Sequence, residues 1–278
     1  MPESIKKLSN LKFLLILIVL VAGFLRFYNL GINPPSLNWD EAAFGYNAYS
    51  LGIDGRDEFG RFLPVNYLES FGDFKAPMYA YLDVIPVKIF GLNPFAVRFP
   101  SALIGSLTVL ATFFLVRELF PKKKEKEALG LISAFILAIS PWHIMLSRAA
   151  FEANVATFFV VLGTLFYLKF INGTRWGIIL SAVFFALSAY TFNTARVVSP
   201  LIVIVLSLIF FKKLWANKSF VVIAFVVGLI VIFPTVKFLF SPQADLRYQE
   251  VNIFSDASVV EMANQEIAND HNNPISKI

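Results

Sequence analysis

Residues 11–41 read LKFLLILIVLVAGFLRFYNLGINPPSLNWDE, an apolar run followed by a turn-rich segment and an acidic pair. The apolar part, residues 11–30, is about as long as a bilayer requires of a spanning helix. A cleaved signal peptide would end in small residues, but Leu25-Arg26-Phe27-Tyr28 stands there instead, which predicts an uncleaved anchor. We expect Arg26 to extend its side chain to the outer membrane interface beside Tyr28.

The acidic pair, Asp40-Glu41, follows this first apolar run closely. Adjacent carboxylates repel each other, so the pair indicates work at a membrane surface, such as proton abstraction or the binding of a cation or a sugar. A structural alternative is a helix start, with Asn38 as N-cap and both acids in the first turn, where the helix dipole favours negative charge. The pair alone leaves both alternatives open.

Composition places the chain in a membrane. Apolar residues form 57% of its 278 residues and charged residues only 15%, and the mean hydropathy is +0.68, which is outside the usual soluble range. Without cysteine there is no disulfide framework, thiolate metal site or cysteine nucleophile. The formal charge of +5 comes from basic residues between apolar segments, as cytoplasmic loops require, so nucleic acid is not expected as a partner.

The apolar segments predict an all-α polytopic membrane protein with about seven transmembrane helices in a single domain, residues 1–278. The predicted spans cover residues 11–30, 99–118, 128–146, 151–170, 176–191, 197–211 and 220–240. Short loops rich in lysine and arginine, including 117–126 and 212–218, all fall on one side, which the positive-inside rule assigns to the cytoplasm. Residues 31–97 then form the first outer loop. The polar tail, 241–278, also faces outward, and a short helix is predicted within it at 250–273.

Two amphipathic helices are predicted in the first outer loop, at residues 39–51 and 77–90, and we expect both to lie along the membrane interface. Between them, Asp54-Gly55-Arg56-Asp57 is typical of turns. The aspartates resemble a calcium-binding loop only loosely, because the EF-hand spacing and terminal glutamate are missing. Turn formation is therefore the better interpretation.

Two outward-facing sites contain basic residues with distinctive neighbours. Lys75 precedes Ala76-Pro77, and a proline that starts a helix places the ammonium near free backbone N–H groups, an arrangement that suits a phosphate. An ordinary loop lysine is the alternative. Arg148 and Glu152 are four residues apart, which puts them on one helical face at the membrane boundary. Charges there are costly and usually paired or functional, and a purely structural ion pair is the alternative.

Arg196 interrupts two apolar spans without a nearby acidic residue, so we expect it to bind an anion, either a phosphate or a distant carboxylate. His143 could serve as a general base. With only one other histidine in the chain, His271, an interfacial packing or hydrogen-bonding role is the better interpretation.

Five short motifs occur in a specific order and spacing. They are Arg26-Phe27-Tyr28-Asn29-Leu30-Gly31, Trp39-Asp40-Glu41-Ala42, Gly72-Asp73-Phe74-Lys75-Ala76-Pro77-Met78-Tyr79, Val97-Arg98-Phe99-Pro100-Ser101 and Ser147-Arg148-Ala149-Ala150-Phe151-Glu152. Together they resemble polytopic C-type glycosyltransferases, and among these the branch of the dolichyl-phosphate-mannose protein mannosyltransferases and the bacterial aminoarabinose transferase of lipid A. The resemblance runs from about residue 11 to residue 256.

This resemblance implies transfer of a sugar from a polyprenyl-phosphate donor to a hydroxyl, on a lipid or protein acceptor, at the outer face of the cytoplasmic membrane. It implies that an acidic residue of the first outer loop lies at the reaction centre. On this chain that residue is Asp40, the base that would deprotonate the acceptor, with Glu41 orienting it or binding sugar. Lys75 matches a lysine near the donor phosphate, although Ala76 stands where the motif often has proline.

The resemblance assigns substrate binding to three further residues. Arg148 and Glu152 match a charged pair at the outer end of a later helix, and Arg196 matches a basic position after an aromatic-rich segment. No nucleotide cofactor is expected, because the sequence has no Gly-rich phosphate loop or dinucleotide fingerprint. A divalent cation is allowed by the sequence but not required.

Members of such families usually continue with further spans and often a soluble outer domain, so we expect this chain to be the N-terminal part of a longer enzyme. The alternative from another class is a transporter or lipid-handling protein that binds an anionic substrate. Transporters are expected to place ionisable residues near the membrane midplane and often contain repeated halves. Here the charges gather at the outer ends of the spans, which favours glycosyl transfer.

Overall fold

The structure is a computed structural model that describes residues 3–242 and 257–269. Its helices are, in chain order, α1 (Glu3–Phe27), α2 (Trp39–Asp54), α3 (Met78–Phe90), α4 (Pro94–Leu119), α5 (Lys126–Ile139), α6 (Pro141–Arg148), α7 (Glu152–Ile171), α8 (Gly177–Ala189), α9 (Ala195–Ile209), α10 (Phe211–Ala216), α11 (Lys218–Leu239) and α12 (Ala257–Asn269). Two short strands, β1 (Leu68–Ser70) and β2 (Asp73–Lys75), form an antiparallel hairpin between α2 and α3. The expectation of an all-α fold is therefore wrong at this hairpin.

The chain divides into two compact units, Met1–Val236 and Lys237–Ile278. The first unit contains the hairpin and every candidate site residue. The second contains α12. The helix predicted at residues 250–273 is confirmed for Ala257–Asn269, and the remainder of that range lies outside the described residues.

Four helices within the described ranges are long and apolar enough to cross a membrane: Asn10–Phe27 in α1, α4, α7 and Lys218–Val236 in α11. The bent pair α5 and α6 would make a fifth span if it crosses as one unit. Helices α8 and α9 are apolar but shorter. A multi-pass helical membrane protein is confirmed, whereas the number of seven spans stays a prediction.

The span predicted at residues 128–146 is not one straight helix, because α5 and α6 meet at an angle of 59°. Pro141 is the first residue of α6, where its missing N–H group costs little, but its ring prevents α5 from continuing through it. Ser140 has the extended conformation that a following proline favours, with φ −62° and ψ 117°. The sequence therefore contains the signal for this break.

Arg26 packs against the end of α5, with its side chain fully buried instead of reaching the interface. The side chain therefore does not extend to the surface beside Tyr28, as the sequence had predicted. The guanidinium donates to the carbonyls of Leu137 and Ala138, at 3.3 and 3.1 Å, two of the groups that a helix C-terminus leaves without partners. It also lies 2.7 Å from Nδ1 of His143. Since a guanidinium cannot accept, Nδ1 is the acceptor, and the predicted hydrogen-bonding role of His143 is confirmed.

Helix α2 begins with a capping box. Asn38 Oδ1 accepts a hydrogen bond from the backbone N–H of Glu41 at 2.8 Å, and Glu41 Oε2 accepts one from the N–H of Asn38 at 3.0 Å. These bonds satisfy donors that the first turn leaves open. Gly55, with φ 77°, ends the helix in the left-handed conformation. The helices predicted at 39–51 and 77–90 are confirmed, while their location at the membrane interface stays a prediction.

The segment after α2 is held by aspartates that stabilise turns. Asp54 Oδ1 accepts from the N–H of Arg56 at 3.0 Å. Asp57 Oδ1 accepts from the N–H groups of Phe59 and Arg61, at 3.0 and 2.8 Å. The interpretation of these residues as turn formers is confirmed.

The β-hairpin is the element that carries Lys75. Phe71 and Gly72 are its two turn residues, with φ values of 55° and 78°, and the left-handed conformation at both positions matches the twist of a tight hairpin. Ser70 pairs with Asp73, and Leu68 pairs with Lys75. Because alternate residues of a strand point to the same side, the side chains of Asp73 and Lys75 lie next to each other.

Candidate active site

The candidate site is centred on the ammonium group of Lys75, whose side chain is only 8% exposed. Its Nζ atom lies 2.6 Å from Asp40 Oδ1 and 2.6 Å from Asp73 Oδ2. Burial by itself lowers the pKa of Lys75, but the hydrogen bonds and charges of Asp40 and Asp73 outweigh that effect and raise it above its ordinary value. Lys75 therefore carries a positive charge at neutral pH, and the fold joins two of the predicted site residues, Asp40 and Lys75.

Glu41 has a different environment, although it is the next residue along the chain. Its carboxylate forms a buried bidentate pair with Arg98, with Nε to Oε1 at 2.8 Å and Nη2 to Oε2 at 3.1 Å. Arg98 also donates to the carbonyls of Leu30, Pro34 and Ser36. Paired in this way, both charges are compensated away from water. Glu41 thus fixes the loop before α2 and the first turn that carries Asp40.

A third connection places the start of α7 at the same site. Oε1 of Glu41 accepts a hydrogen bond from the backbone N–H of Ala150 at 3.0 Å. Glu152, the first residue of α7, lies close enough to Asp40, Asp73 and Lys75 for their charges to act on it. The Glu41 carboxylate therefore links the segments that carry Asp40 and Glu152.

Arg148 is not on one helical face with Glu152, so that prediction is wrong. Helix α6 ends at Arg148, and α7 begins only at Glu152, because the backbone between them is extended at Ala149 and Phe151. The Arg148 guanidinium donates instead to the carbonyls of Leu25, Arg26 and Asn33, at 2.9, 3.3 and 2.7 Å. These contacts fasten α6 to the end of α1 and favour a structural role for Arg148.

Arg196 lies in the first turn of α9 and donates through Nε to the carbonyl of Ala189 at 3.1 Å. The loop between α8 and α9 contacts the beginning of α3, because the backbone N–H of Met78 donates to the carbonyl of Tyr190 at 3.2 Å. That N–H group is one of those expected to be free after Pro77. The loop that leads to Arg196 thus borders the segment that follows Lys75.

Sequence reasoning missed two residues of this cluster, Asp73 and Arg98. Asp73 had a local signal, since it is two residues from Lys75 in a segment with a glycine turn, and such spacing puts both side chains on one side of a strand. Arg98 had a weaker signal. A lone arginine at the start of an apolar helix calls for a carboxylate partner, but its partner Glu41 is 57 positions away in the chain.

The arrangement at Lys75 bears on metal binding. Among the residues that the structure describes, no three acidic, histidine or cysteine side chains are placed to hold a metal ion. The Lys75 ammonium lies between the carboxylates of Asp40 and Asp73, where a cation would otherwise balance their charge. The cluster therefore does not fit a metal centre, and we derive no reaction step through one.

The chemistry that this site supports follows from its exposure and charge. Asp40 is 28% exposed, so its carboxylate can meet a substrate hydroxyl and accept a proton. Lys75 supplies a fixed positive charge beside it, which can stabilise a departing anion. A base and a cation in contact, in a protein with apolar helices long enough to cross a membrane, suit a substrate whose reactive part is polar and whose remainder lies in lipid.

Comparisons with known proteins identify similar sequences and a similar fold. A Bacillus subtilis (strain 168) protein, YkcB, whose name describes it as a candidate mannosyltransferase, is 25% identical over 185 residues, which cover 64% of this chain and 24% of YkcB. A protein of unknown function from Aquifex aeolicus (strain VF5) is 30% identical over 223 residues, 80% of this chain and 42% of the relative. The chain thus spans less than half the length of these relatives.

The crystal structure of the Archaeoglobus fulgidus oligosaccharyltransferase in its apo form shares the fold, with a TM-score of 0.59 and 15% sequence identity. The match covers 96% of this chain and 38% of that one. The model of one family, described as dolichyl-phosphate-mannose-protein mannosyltransferase, matches residues 74–238, more than half of the chain. This matched segment includes Lys75, Arg98, Glu152 and Arg196. The chain therefore belongs to the dolichyl-phosphate-mannose-protein mannosyltransferase family.

Proposed function

We propose that the protein transfers a glycosyl group from a polyprenyl-phosphate sugar to a hydroxyl of a lipid or protein acceptor at the outer face of the cytoplasmic membrane. The observation that carries this proposal is the contact between the Asp40 carboxylate and the buried Lys75 ammonium. Family membership supports glycosyl transfer over transport of an anion. The basic loops that face away from Asp40 support the outward orientation.

In this reaction the acceptor hydroxyl gives its proton to the Asp40 carboxylate while its oxygen attacks the anomeric carbon of the sugar. The bond between that carbon and the phosphate oxygen breaks, and the polyprenyl phosphate leaves with the electron pair. Lys75 stabilises the charge that develops on the leaving phosphate. The polyprenyl chain stays between helices in the bilayer, so the reaction needs no soluble nucleotide.

The remaining site residues have supporting roles in the proposal. Glu41 and Arg98 hold Asp40 in place instead of contacting sugar. Glu152 lies at the edge of the carboxylate cluster, where it can accept hydrogen bonds from sugar hydroxyls. Arg196, in the first turn of α9, would bind the donor phosphate from beyond the start of α3. Arg148 retains only its contacts with backbone carbonyls in this scheme.

The test is donor consumption by membranes that contain the full-length protein. Radiolabelled mannosyl polyprenyl phosphate is the first donor to use, and other polyprenyl-phosphate sugars follow. The label should pass from the donor into an acceptor fraction, in proportion to the amount of protein. A nucleotide sugar offered without polyprenyl phosphate should give no transfer. Membranes with folded protein that consume none of the lipid-phosphate donors above the background of empty membranes would contradict the proposal.

A further inference from the structure

The ammonium group of Lys75 is already engaged by two carboxylates at the position where the proposed function requires it to meet a phosphate. Both contacts are 2.6 Å long, and the lysine side chain is only 8% exposed. A buried ammonium without a counter-charge would be strongly destabilising. Lys75 therefore needs an anionic partner in the donor-free protein, and Asp40 and Asp73 supply it.

The charge of the cluster makes the addition of a further anion unfavourable. Asp40 and Asp73 carry two negative charges against the single positive charge of Lys75. A phosphodiester would add another negative charge in a partly buried place, where charges repel more strongly than in water. A donor phosphate can bind Lys75 favourably only if one carboxylate gives up its contact.

The two carboxylates differ in how firmly their backbone is held. Asp40 lies in the first turn of α2, which the capping box and the buried pair of Glu41 with Arg98 hold in place. Asp73 lies directly after the two-residue turn of the hairpin, in a strand of only three residues. Asp73 Oδ1 accepts a hydrogen bond from the backbone N–H of Phe74 at 2.7 Å, so the carboxylate keeps a partner when its Oδ2 leaves Lys75. The proposed reaction, in contrast, needs the Asp40 carboxylate at the site. Asp73 is therefore the carboxylate that can yield.

We infer that Asp73 is a stand-in for the donor phosphate: it holds the Lys75 ammonium in the donor-free enzyme, and the phosphate of the lipid donor displaces it. This inference rests on the proposed function and deepens it. The exchange replaces one anion on Lys75 by another, so the lysine is paired in both states. After transfer, Asp73 competes with the polyprenyl phosphate product for Lys75 and so promotes its release.

A competing anion lowers the apparent affinity for the phosphate, because the ligand must first displace it. Removing the charge of Asp73 should therefore tighten phosphate binding. A carboxylate with only a structural role would predict weaker binding instead, because Lys75 would lose part of its support. The sign of the change distinguishes the two roles.

The experiment measures binding of a polyprenyl monophosphate without sugar to the full chain in nanodiscs by titration calorimetry. Asp73→Asn should bind it about 3- to 10-fold more tightly than the wild type. Asp73→Glu keeps the charge and should bind within about twofold of the wild type. Glu69→Gln is the matched control, because Glu69 is on the same hairpin and pairs with Arg61 at 3.4 Å, away from Lys75. Its affinity should also stay within about twofold.

Equal or weaker binding by Asp73→Asn, in protein with an unchanged melting temperature, would overturn the inference. An equal gain in the Glu69→Gln control would also overturn it, because the effect would then be one of net charge. The inference would also be overturned if neither the wild type nor Asp73→Asn bound the polyprenyl monophosphate. If Asp73→Asn binds more tightly but no polyprenyl-phosphate sugar is consumed, the proposed function fails and the anion exchange stands. If sugar is transferred without a gain in binding, only the anion exchange fails.

Discussion

Asp40 and Glu41 are adjacent in the chain, but their carboxylates have opposite environments. Asp40 is 28% exposed and forms an ion pair with the buried Lys75. The Glu41 side chain is 2% exposed, and its two oxygens accept hydrogen bonds from Arg98, Asn38 and Ala150. The helix start therefore separates a partly exposed carboxylate from one that is buried in structural contacts. The capping alternative drawn from the sequence is confirmed for Glu41, and the functional alternative stays a prediction for Asp40.

Asp40→Asn tests the reactive carboxylate. The amide keeps the size of the side chain and its hydrogen bonds, but it cannot accept a proton. Turnover should fall by about 100- to 10 000-fold, the size of a lost general base, while donor binding survives. The measurement is transfer rate and donor affinity in the same preparation. A variant that binds donor and turns it over as fast as the wild type would exclude Asp40 as the base.

Glu41→Gln should reduce stability far more than a substitution of an exposed carboxylate. It leaves the buried guanidinium of Arg98 without a counter-charge, which costs about 3–5 kcal/mol. Glu69→Gln, which removes a partly exposed pair with Arg61, should cost about 1 kcal/mol or less. Chemical unfolding in detergent gives both values. Similar losses in the two variants would mean that the buried pair contributes no more than a surface pair.

For single residues, the sequence shows which charged residues deserve attention more reliably than it shows which residues they contact. Asp40 and Lys75 could be recognised because charges beside apolar spans are rare. The contacts of Glu41 with Arg98 and Ala150 join positions 57 and 109 residues apart, and no local pattern encodes such distances. The sequence also did not reveal that the helix expected through Arg148 and Glu152 is interrupted. The extended backbone between α6 and α7 donates the N–H of Ala150 to the distant Glu41, and this contact is not encoded locally.

Helix α3 contains a second unusual carboxylate. Asp83 is completely buried, and neither of its oxygens has a hydrogen-bond partner among the described residues. Burial, and secondarily the charge of Glu41, raise the pKa of Asp83 well above its ordinary value. The folded protein therefore favours the protonated acid. Protonated Asp83 thus contributes stability that is fully present below the pKa that Asp83 has in the unfolded chain. This contribution is lost as the pH rises towards the pKa that Asp83 has in the folded protein.

Asp83→Asn should remove this pH dependence. Between pH 4 and pH 8 the wild type should lose stability relative to the variant, so the difference in melting temperature should grow with pH in favour of Asn. A shift of about 3 °C or more is expected, because 1 kcal/mol corresponds to about 2–4 °C at this chain length. Asp54→Asn, on the exposed end of α2, is the control and should follow the wild type. Parallel curves for all three proteins would mean that Asp83 does not titrate as argued.

The helices were predictable from apolar runs, whereas their interruptions depended on single residues. Windows of hydropathy merged α5 with α6, although Ser140-Pro141 was visible as a break signal. The hairpin was missed because its three-residue strands are too short for an alternating pattern. The signal for the hairpin was the turn at Gly72. This turn can be interpreted as part of a hairpin only when the contact between Lys75 and Asp40 is known.

Across the first unit, contacts sort the loops into two groups. Glu118 accepts a hydrogen bond from Asn172 at 2.7 Å, so the loops after α4 and after α7 lie at one end. Hydrogen bonds between Glu41 and Ala150 and between Tyr190 and Met78 show that residues 31–97 and the loops after α6 and α8 lie at the other end. For these five loops the alternation is the predicted one, while the side of the membrane that each end faces stays a prediction. The lysine-rich loop and the candidate site are therefore at opposite ends of the helices.

Single cysteines should report this arrangement directly, because the natural chain has none. Arg56 lies in the exposed turn after α2, and Lys123 lies in the exposed loop before α5, so Arg56→Cys and Lys123→Cys are the two variants to compare. In intact cells, a membrane-impermeant thiol reagent should label position 56 and leave position 123 unlabelled until the membrane is opened. Labelling at 123 but not at 56 would reverse the orientation and place the candidate site on the cytoplasmic face.

Arg26 adds a constraint on biosynthesis. It lies in the first apolar segment to leave the ribosome, but the carbonyl of Ala138 that it binds is made 112 residues later. At about 5–20 residues per second, translation takes about 6–22 s to supply that partner. During this interval the guanidinium is costly to bury in lipid. The buried position of Arg26 against α5 can therefore form only after the carbonyl of Ala138 has been made, and until then its side chain has to find other polar partners, such as the lipid headgroups at the membrane surface.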